Sequence, residues 1–228
     1  MRKALAIILL GIIGYYVLAV FFRIPFGADR ILAGVAGKYL WEGVQKTGAV
    51  NIVTSIVVNY RGFDTLGEVT VLFLAATGMG ALLYHRQPMQ RARQNASLIV
   101  KTGARILFPL IILLGAYVFV HGHLTPGGGF QGGSIIASGF LLMFMSYRSY
   151  HVNHRILSVV ESLAGTTFVV IGLLGLIYGY SFLQNVLPLG TANTLFSAGV
   201  IPLIYIAVGF KVGSELTAVL DTMLKTVK

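Results

Sequence analysis

Cysteine is absent from this sequence. Its absence excludes disulfide-stabilised folds, thiolate metal sites and thiol redox centres. Charged residues are also scarce: they make up 11% of the 228 residues, against about 25% in a typical soluble domain. Acidic residues are the fewest, with 7 Asp and Glu against 17 Lys and Arg. A soluble protein is therefore excluded, and each acidic residue can be considered individually.

Hydrophobic residues are abundant instead, at 56%, and they are gathered into long runs. An apolar run of about 18 or more residues with few charges is typical of a transmembrane helix. The first run is longer than a signal-peptide core and lacks a small-residue cleavage site, so we expect it to be retained. We predict an all-α integral membrane protein with about six transmembrane helices, at residues 4–22, 66–84, 106–120, 132–147, 156–180 and 194–210.

A seventh apolar segment, residues 48–60, is shorter than these six. At about 1.5 Å per residue it does not cross the roughly 30 Å of hydrocarbon in a bilayer. We predict a short re-entrant or surface helix here. A core span packed wholly against protein is the alternative.

The formal net charge is +10. Because the cytoplasmic loops of membrane proteins are rich in Lys and Arg, we expect these basic residues to set the orientation of the protein in the membrane. We do not expect them to form a nucleic-acid-binding surface. Connections 121–131 and 181–193 have neither residue, whereas connection 23–61 has five of them and argues against a simple alternation. The other basic positions predict cytoplasmic N- and C-termini. They are Arg2, Lys3, Arg86, Arg91, Arg93, Lys101, Arg105, Arg148, Arg155, Lys225 and Lys228.

The stretch HRQPMQRARQ is polar, contains Pro88 and is typical of a linker. We predict that residues 85–96 connect a two-span segment, residues 1–84, to a four-span domain, residues 97–228.

Two groups of ionisable residues are candidates for a proton or cation path. Asp64 and Glu68 lie one helical turn apart just ahead of the second span, where a favourable helix start is the alternative explanation. Glu161, Lys211 and Glu215 lie in or beside the fifth and sixth spans. Ionisable groups in spans usually line a polar cavity or pair with each other. The predicted topology puts these three at similar depth, and an ion pair or a snorkelling lysine is the alternative.

The centres of the predicted spans otherwise offer only hydroxyl groups, such as Ser138, Thr166 and Thr167. We therefore expect a complete ion path to need neighbouring subunits. Transport by this chain alone is the less favoured alternative.

The segment HGHLTPGGGFQGG, residues 121–133, is the least helical part of an apolar region. Such backbone at membrane depth is tolerated where it is buried in protein or lines a cavity, so a tight packing corner and an ion-binding loop are both open. His121 and His123 are spaced unfavourably for a metal, and we predict no metal site, no catalytic residue and no phosphate loop. The candidate loop residues are His121, His123, Thr125, Pro126, Gly127, Gly128, Gly129 and Gln131.

Two motifs in this sequence resemble those of a known family. HGHLTPGGGFQGG and the later GFKVGSEL resemble the B-type component of Mrp-type multi-subunit sodium/proton antiporters (MnhB/MrpB-like), a likeness that covers about residues 97–220. NYRGFDTLGEVTVL resembles the C-terminal end of the large A-type component of the same antiporters, over about residues 4–84. The long proton-pumping part of that large component is missing, as it is in membrane-bound hydrogenase-type complexes.

The resemblance implies a multi-pass subunit of a complex in a prokaryotic cell membrane. Its partners would be other Mrp-type subunits, either in a free antiporter or in an antiporter module attached to a hydrogenase-like or sulfur-reductase module. Sodium ions and protons would be the transported species, with no cofactor, and Glu68 falls on an acid of the family pattern. The alternative is a purely structural subunit that bridges the pump subunits through its 28 glycines.

Overall fold

The long apolar runs fold into helices, because a backbone in hydrocarbon must satisfy its own hydrogen bonds. The computed structural model describes residues 2–23, 34–84, 96–147 and 149–226. The helices in this part of the chain are α1 (Arg2–Arg23), α2 (Val35–Thr47), α3 (Ile52–Thr54), a π-helix (Ser55–Tyr60), α4 (Gly62–Tyr84), α5 (Leu98–Val120), α6 (Gly129–Ser146), α7 (His154–Tyr178) and α8 (Ile201–Thr226).

Six of these helices are long and apolar enough to cross a membrane, which confirms the all-α class and the number of spans. The prediction for the last span was wrong at both ends, since α8 begins at Ile201 and runs to Thr226. Residues 194–200 form turns instead, with positive φ angles at Ala198 and Gly199. α8 continues past Phe210, and there the opposite charges of Lys211 and Glu215 lie one helical turn apart.

In the short segment before α4, α3 continues directly into the π-helix, and together they make nine helical residues. This length is about 14 Å, which agrees with the prediction that the segment is too short to span a bilayer. Thr54, Ser55 and Val58 are buried, so one side of this segment packs into the protein.

The described residues divide into two compact units, residues 1–38 and 39–228. In the first unit, α1 is an apolar helix of membrane-spanning length. In the second unit α8 is the central helix, with 61% of its span buried, and it contacts α4, α5, α6, α7 and the π-helix. Its buried face includes Ile201, Ile204, Val208 and Val212.

Glycines let α6 approach its neighbours closely. A Cβ atom on Gly133 would lie 2.8 Å from the Gly209 carbonyl oxygen in α8, and one on Gly132 would lie 2.6 Å from the Gly115 carbonyl oxygen in α5. No side chain fits at either position, so the two glycines set the distance between these helices, as small residues do in membrane bundles.

Residues 85–95 of the predicted linker lie outside the described residues, as do Arg148 and Lys228. The division of the chain at this linker stays a prediction. The cytoplasmic placement of both termini also stays a prediction.

A charged cluster beside a cavity, as the candidate functional site

Three ionisable side chains from α7 and α8 meet inside the second unit, and we call them the charged cluster. Lys211 and Glu215 lie on one face of α8 because they are four residues apart, and Lys211 Nζ is 3.5 Å from Glu215 Oε1. The same Nζ is 3.7 Å from Oε1 of Glu161 in α7. The structure therefore brings together the three residues that the topology placed at similar depth.

The cluster is nearly removed from solvent and has more acids than bases. Glu215 is 1% exposed and Lys211 is 9% exposed. Glu215 Oε2 is buried and has no hydrogen-bond partner among the described residues. A buried charged oxygen without a donor is costly, so this atom is stabilised when it takes up a proton or a cation.

A cavity of about 170 Å³ borders the cluster, between α4, α7 and α8. One water molecule needs roughly 10–15 Å³ of such space, so the cavity has room for several. Lys211 Nζ also lies 5.1 Å from the centre of the Phe73 ring in α4, a favourable cation–π geometry. The lining residues are Phe73, Ala76, Thr77, Met79, Gly80, Glu161, Glu215, Ala218, Val219 and Thr222.

Lys211 lies near the middle of its helix. It follows the first residue of α8, Ile201, by ten positions, which is about 15 Å. The expectation that span centres hold only hydroxyl groups was therefore wrong for α8. That expectation depended on a span that ended at Phe210, one residue before the lysine.

Asp64 and Glu68 are exposed near the start of α4 and lie apart from the charged cluster. Asp64 Oδ2 accepts a hydrogen bond of 2.6 Å from Arg61 Nε. Both acids border a separate pocket of about 470 Å³ beside the π-helix. Thr77, which borders the central cavity, lies nine residues beyond Glu68, or about 13 Å along α4.

Lys101 and Arg105 lie near the start of α5 and contact Tyr147 at the end of α6. The backbone oxygen of Lys101 accepts a hydrogen bond from the Tyr147 hydroxyl. The Arg105 guanidinium lies 5.9 Å from the centre of the same Tyr147 ring.

The glycine-rich corner, residues 121–133, is held by neutral hydrogen bonds. The Gly122 carbonyl accepts hydrogen bonds from the Asn51 amide at 2.9 Å and from the Thr54 hydroxyl at 2.6 Å. Thr54 Oγ1 in turn accepts one from the Tyr205 hydroxyl of α8. Gly122 and Gly128 leave the space that the Tyr205 ring fills. In this chain the corner joins the short helical segment before α4 to α8.

The candidate loop residues have different surroundings within the corner. His121 stacks on Tyr117 with 4.3 Å between ring centres, and Thr125 Oγ1 donates to the His121 carbonyl. Pro126 and Gln131 are exposed, and Gly127 lies next to Val118. Gly128 precedes α6, whose first residue is Gly129.

His123 is the fully buried member of the corner. Neither ring nitrogen makes a hydrogen bond of ordinary geometry to the described residues. Burial lowers the pKa of the imidazole from its ordinary value, although nearby carbonyls of Thr194, Leu195 and Val120 partly oppose this. His123 is therefore held in its neutral form.

The sequence reasoning missed a second ionisable pair on the same two helices. His154 Nε2, at the start of α7, is hydrogen-bonded to Asp221 Oδ2 near the end of α8. The sequence contained a signal for His154. It precedes Glu161 by seven residues, or two helical turns, so the two residues lie on the same face of α7. The signal for Asp221 was weaker, since it lies six residues after Glu215.

Two families of known proteins match this chain. Residues 99–218 match a family described as a domain related to the MnhB subunit of Na+/H+ antiporter. Residues 3–98 match the MbhE family, described as the E component of MBH.

Three known proteins are similar to this chain. A probable K+/H+ antiporter protein of Rhizobium meliloti, which combines the A and B components, is 33% identical over 54% of this chain, which spans only 15% of that protein. A chain in the structure of the membrane-bound sulfane sulfur reductase, an archaeal respiratory membrane complex, is 45% identical with a TM-score of 0.77 and 98% of both chains covered. A chain in the Mrp complex from Dietzia sp. is 27% identical with a TM-score of 0.76, covering 99% of this chain and 26% of that one.

The MnhB-related match includes all three members of the charged cluster and the whole glycine-rich corner. It covers more than half of the chain, and six helices of membrane-spanning length accompany it. The chain is a multi-pass membrane protein that belongs to the family with a domain related to the MnhB subunit of Na+/H+ antiporters.

Proposed function

We propose that this protein is a subunit of a multi-subunit cation/proton antiporter module in which the charged cluster exchanges a proton for a monovalent cation. Its partners are other Mrp-type subunits and the subunits of a respiratory membrane module, as in the two complexes that contain similar chains. The observation that carries the proposal is the buried Glu215 Oε2, which has no hydrogen-bond partner in the described structure and belongs to a residue that lines a cavity.

The charges of the cluster favour one-for-one exchange. With Lys211 protonated and both acids ionised, the cluster has one net negative charge, which either one proton or one monovalent cation neutralises. A proton on Glu215 and a cation beside it therefore compete for the same carboxylate. Binding of the cation releases the proton, and binding of the proton releases the cation.

Sodium is the cation we propose, because the matched family is named for Na+/H+ antiporters. The similar Rhizobium protein is named for potassium, so potassium belongs in any test. Selectivity would show as a difference between the two cations at equal concentration.

A complete path requires other subunits. The charged cluster borders one cavity, while Asp64 and Glu68 border a different pocket. We propose that Glu68 contributes to the path through a neighbouring subunit and not through this cavity.

Exchange by the assembled complex in membrane vesicles tests the proposal. Glu215→Gln keeps the shape of the side chain but removes its charge, so sodium-dependent proton movement should be abolished while the amount of complex stays normal. Glu42→Gln is the matched control, since Glu42 is a partly exposed acid paired with Lys46 in α2, and it should exchange as the unmodified complex does.

A purely structural role is the competing function. It is favoured by α1, an apolar helix of membrane-spanning length that suits packing against partner helices. Normal exchange by an assembled Glu215→Gln complex would establish this second role and reject the first.

A further inference from the structure

The His154–Asp221 pair lies at the end of the two helices that carry the charged cluster. Asp221 is buried, with 3% of the residue exposed, whereas about half of the His154 side chain, 49%, is exposed. The pair therefore has one half-exposed member at the first residue of α7 and one member buried inside the protein. A hydrogen bond joins the two.

The cavity runs alongside α8 from Glu215 of the charged cluster to the level of this pair. Asp221 follows Glu215 by six residues on α8, and His154 precedes Glu161 by seven residues on α7, which are axial steps of about 9 and 10 Å. The cavity is lined by Glu215 and Glu161 and by Thr222, the residue next to Asp221. From the C-terminal end of α8 toward its middle, the Thr222 hydroxyl and the carboxyl groups of Asp221 and Glu215 thus follow one another.

We propose that the His154–Asp221 pair is the proton entry site of this cavity, through which a proton passes between the aqueous phase and Glu215. This inference rests on the proposed function of the charged cluster. His154 takes a proton from water and passes one through its Nε2 to the Asp221 carboxylate. A water molecule in the cavity then carries a proton from Asp221 to the Glu215 carboxylate, so one proton enters, one is bound and no group is oxidised or reduced.

The chemistry of the pair suits a proton better than a metal ion. Histidine is the side chain that changes its charge near neutral pH, which allows it to collect and release protons at physiological pH. Among the described residues no group of three or more His, Asp or Glu side chains has the arrangement of a metal site.

The charged neighbours give the proton a direction. Arg155 follows His154 directly in sequence and is exposed, so a basic residue lies at the end of α7 that carries the pair. Toward the interior the charged groups are Glu161, Glu215 and Lys211, with a net negative charge. A proton is therefore attracted inward until Glu215 is neutralised.

The test compares His154→Gln with His151→Gln, an exposed histidine three residues away, in the assembled complex in vesicles. His154→Gln should slow sodium-dependent proton exchange by roughly tenfold or more at alkaline pH, because a positioned proton-transfer group contributes at least this much. The rate should recover as the pH falls, and the KM for sodium should stay unchanged. His151→Gln should behave as the unmodified complex does.

Rescue separates proton transfer from a structural role. Free imidazole should restore the rate of a His154→Gly complex, which a merely structural histidine would not allow.

Asp221→Asn should match His154→Gln, and Asp221→Glu should retain exchange. If the Asp221 variants fail to assemble, the half-exposed His154 decides the outcome alone. A normal rate and pH profile for His154→Gln, beside an inactive Glu215→Gln, would overturn the entry site and leave the charged cluster in place; a normal Glu215→Gln would reject both.

Discussion

The glycine-rich corner and the charged cluster both bury polar groups against α8, but they satisfy those groups differently. In the corner, the Gly122 carbonyl and the hydroxyls of Thr54 and Tyr205 are joined by short neutral hydrogen bonds. In the charged cluster, two carboxylates share one ammonium and Glu215 Oε2 has no partner among the described residues. The network of Gly122, Thr54 and Tyr205 is satisfied and fixes the structure, although the neutral ring of His123 beside it makes no hydrogen bond of ordinary geometry to the described residues. The cluster leaves a charged oxygen without a donor, and such an atom is poised to bind what it lacks. The corner therefore stabilises the fold, and the cluster has the properties of a binding site.

Removal of the single base of the cluster should have the largest effect. Lys211→Met leaves Glu161 and Glu215 buried without their cation, which costs about 3–5 kcal/mol when a buried ion pair is broken. The thermal midpoint and the yield of the assembled complex in detergent should both fall sharply. The double variant Lys211→Met/Glu215→Gln should recover much of the loss, because one of the two unpaired charges is gone. Equal stability of the single and double variants would show that the charges are not coupled.

Overfilling the contact between α6 and α8 should have the next largest effect. Gly133→Leu puts side-chain atoms where a Cβ alone would be 2.8 Å from the Gly209 carbonyl oxygen and from Val212 Cβ. Overpacking of this kind costs about 1–3 kcal/mol or more. We expect a lower thermal midpoint, with exchange per assembled complex unchanged.

Gly103→Leu is the control for this substitution. Apart from the adjacent backbone of α5, no atom of the described residues lies within 4 Å of a Cβ at Gly103, so the thermal midpoint of this variant should stay near that of the unmodified protein. If Gly133→Leu folds normally but loses exchange, the corner has a direct part in transport and does more than stabilise the fold.

The smallest effect should come from His123, as a dependence of stability on pH. Burial lowers the pKa of His123 below its ordinary value of 6.5, so the folded protein binds this proton less tightly than the unfolded chain does. The stabilising contribution is fully present above the unfolded pKa and is lost as the pH falls through the lower, folded value. The thermal midpoint should therefore decrease on acidification, and His123→Gln should reduce that decrease. An identical pH dependence in the variant would show that His123 does not titrate on unfolding.

The number of spans was predictable because hydropathy is a property of each run by itself. The ends of the spans were less predictable. Run length alone ended the last span at Phe210, yet α8 continues for sixteen residues to Thr226. The same reasoning began the third span at residue 106, whereas α5 begins at Leu98. In both helices charged residues lie inside the helix. Hydropathy along the sequence counts each of these charges as unfavourable in a span, but an ion pair in α8 and contacts with Tyr147 in α5 offset that cost.

The site was predictable only in part. The spacing of Lys211 and Glu215 and the topology pointed to Glu161 as a neighbour, and the distances agree. The first choice from the family pattern, Glu68, lies at a different pocket, and its part in transport stays a prediction. The His154–Asp221 pair was missed because its members are 67 residues apart in sequence, so that only the packing of α7 on α8 brings them together.

The sequence by itself determined that this protein has six apolar helices of membrane-spanning length with few ionisable groups, because burial in hydrocarbon constrains every residue of a span independently. It also marked the corner, since glycine and proline act on their own backbone. Only the tertiary structure decided which of the few charges meet, where the cavity lies and which carboxylate oxygen has no partner among the described residues. Those properties depend on contacts between helices distant in sequence, and the packing of α4, α7 and α8 sets them.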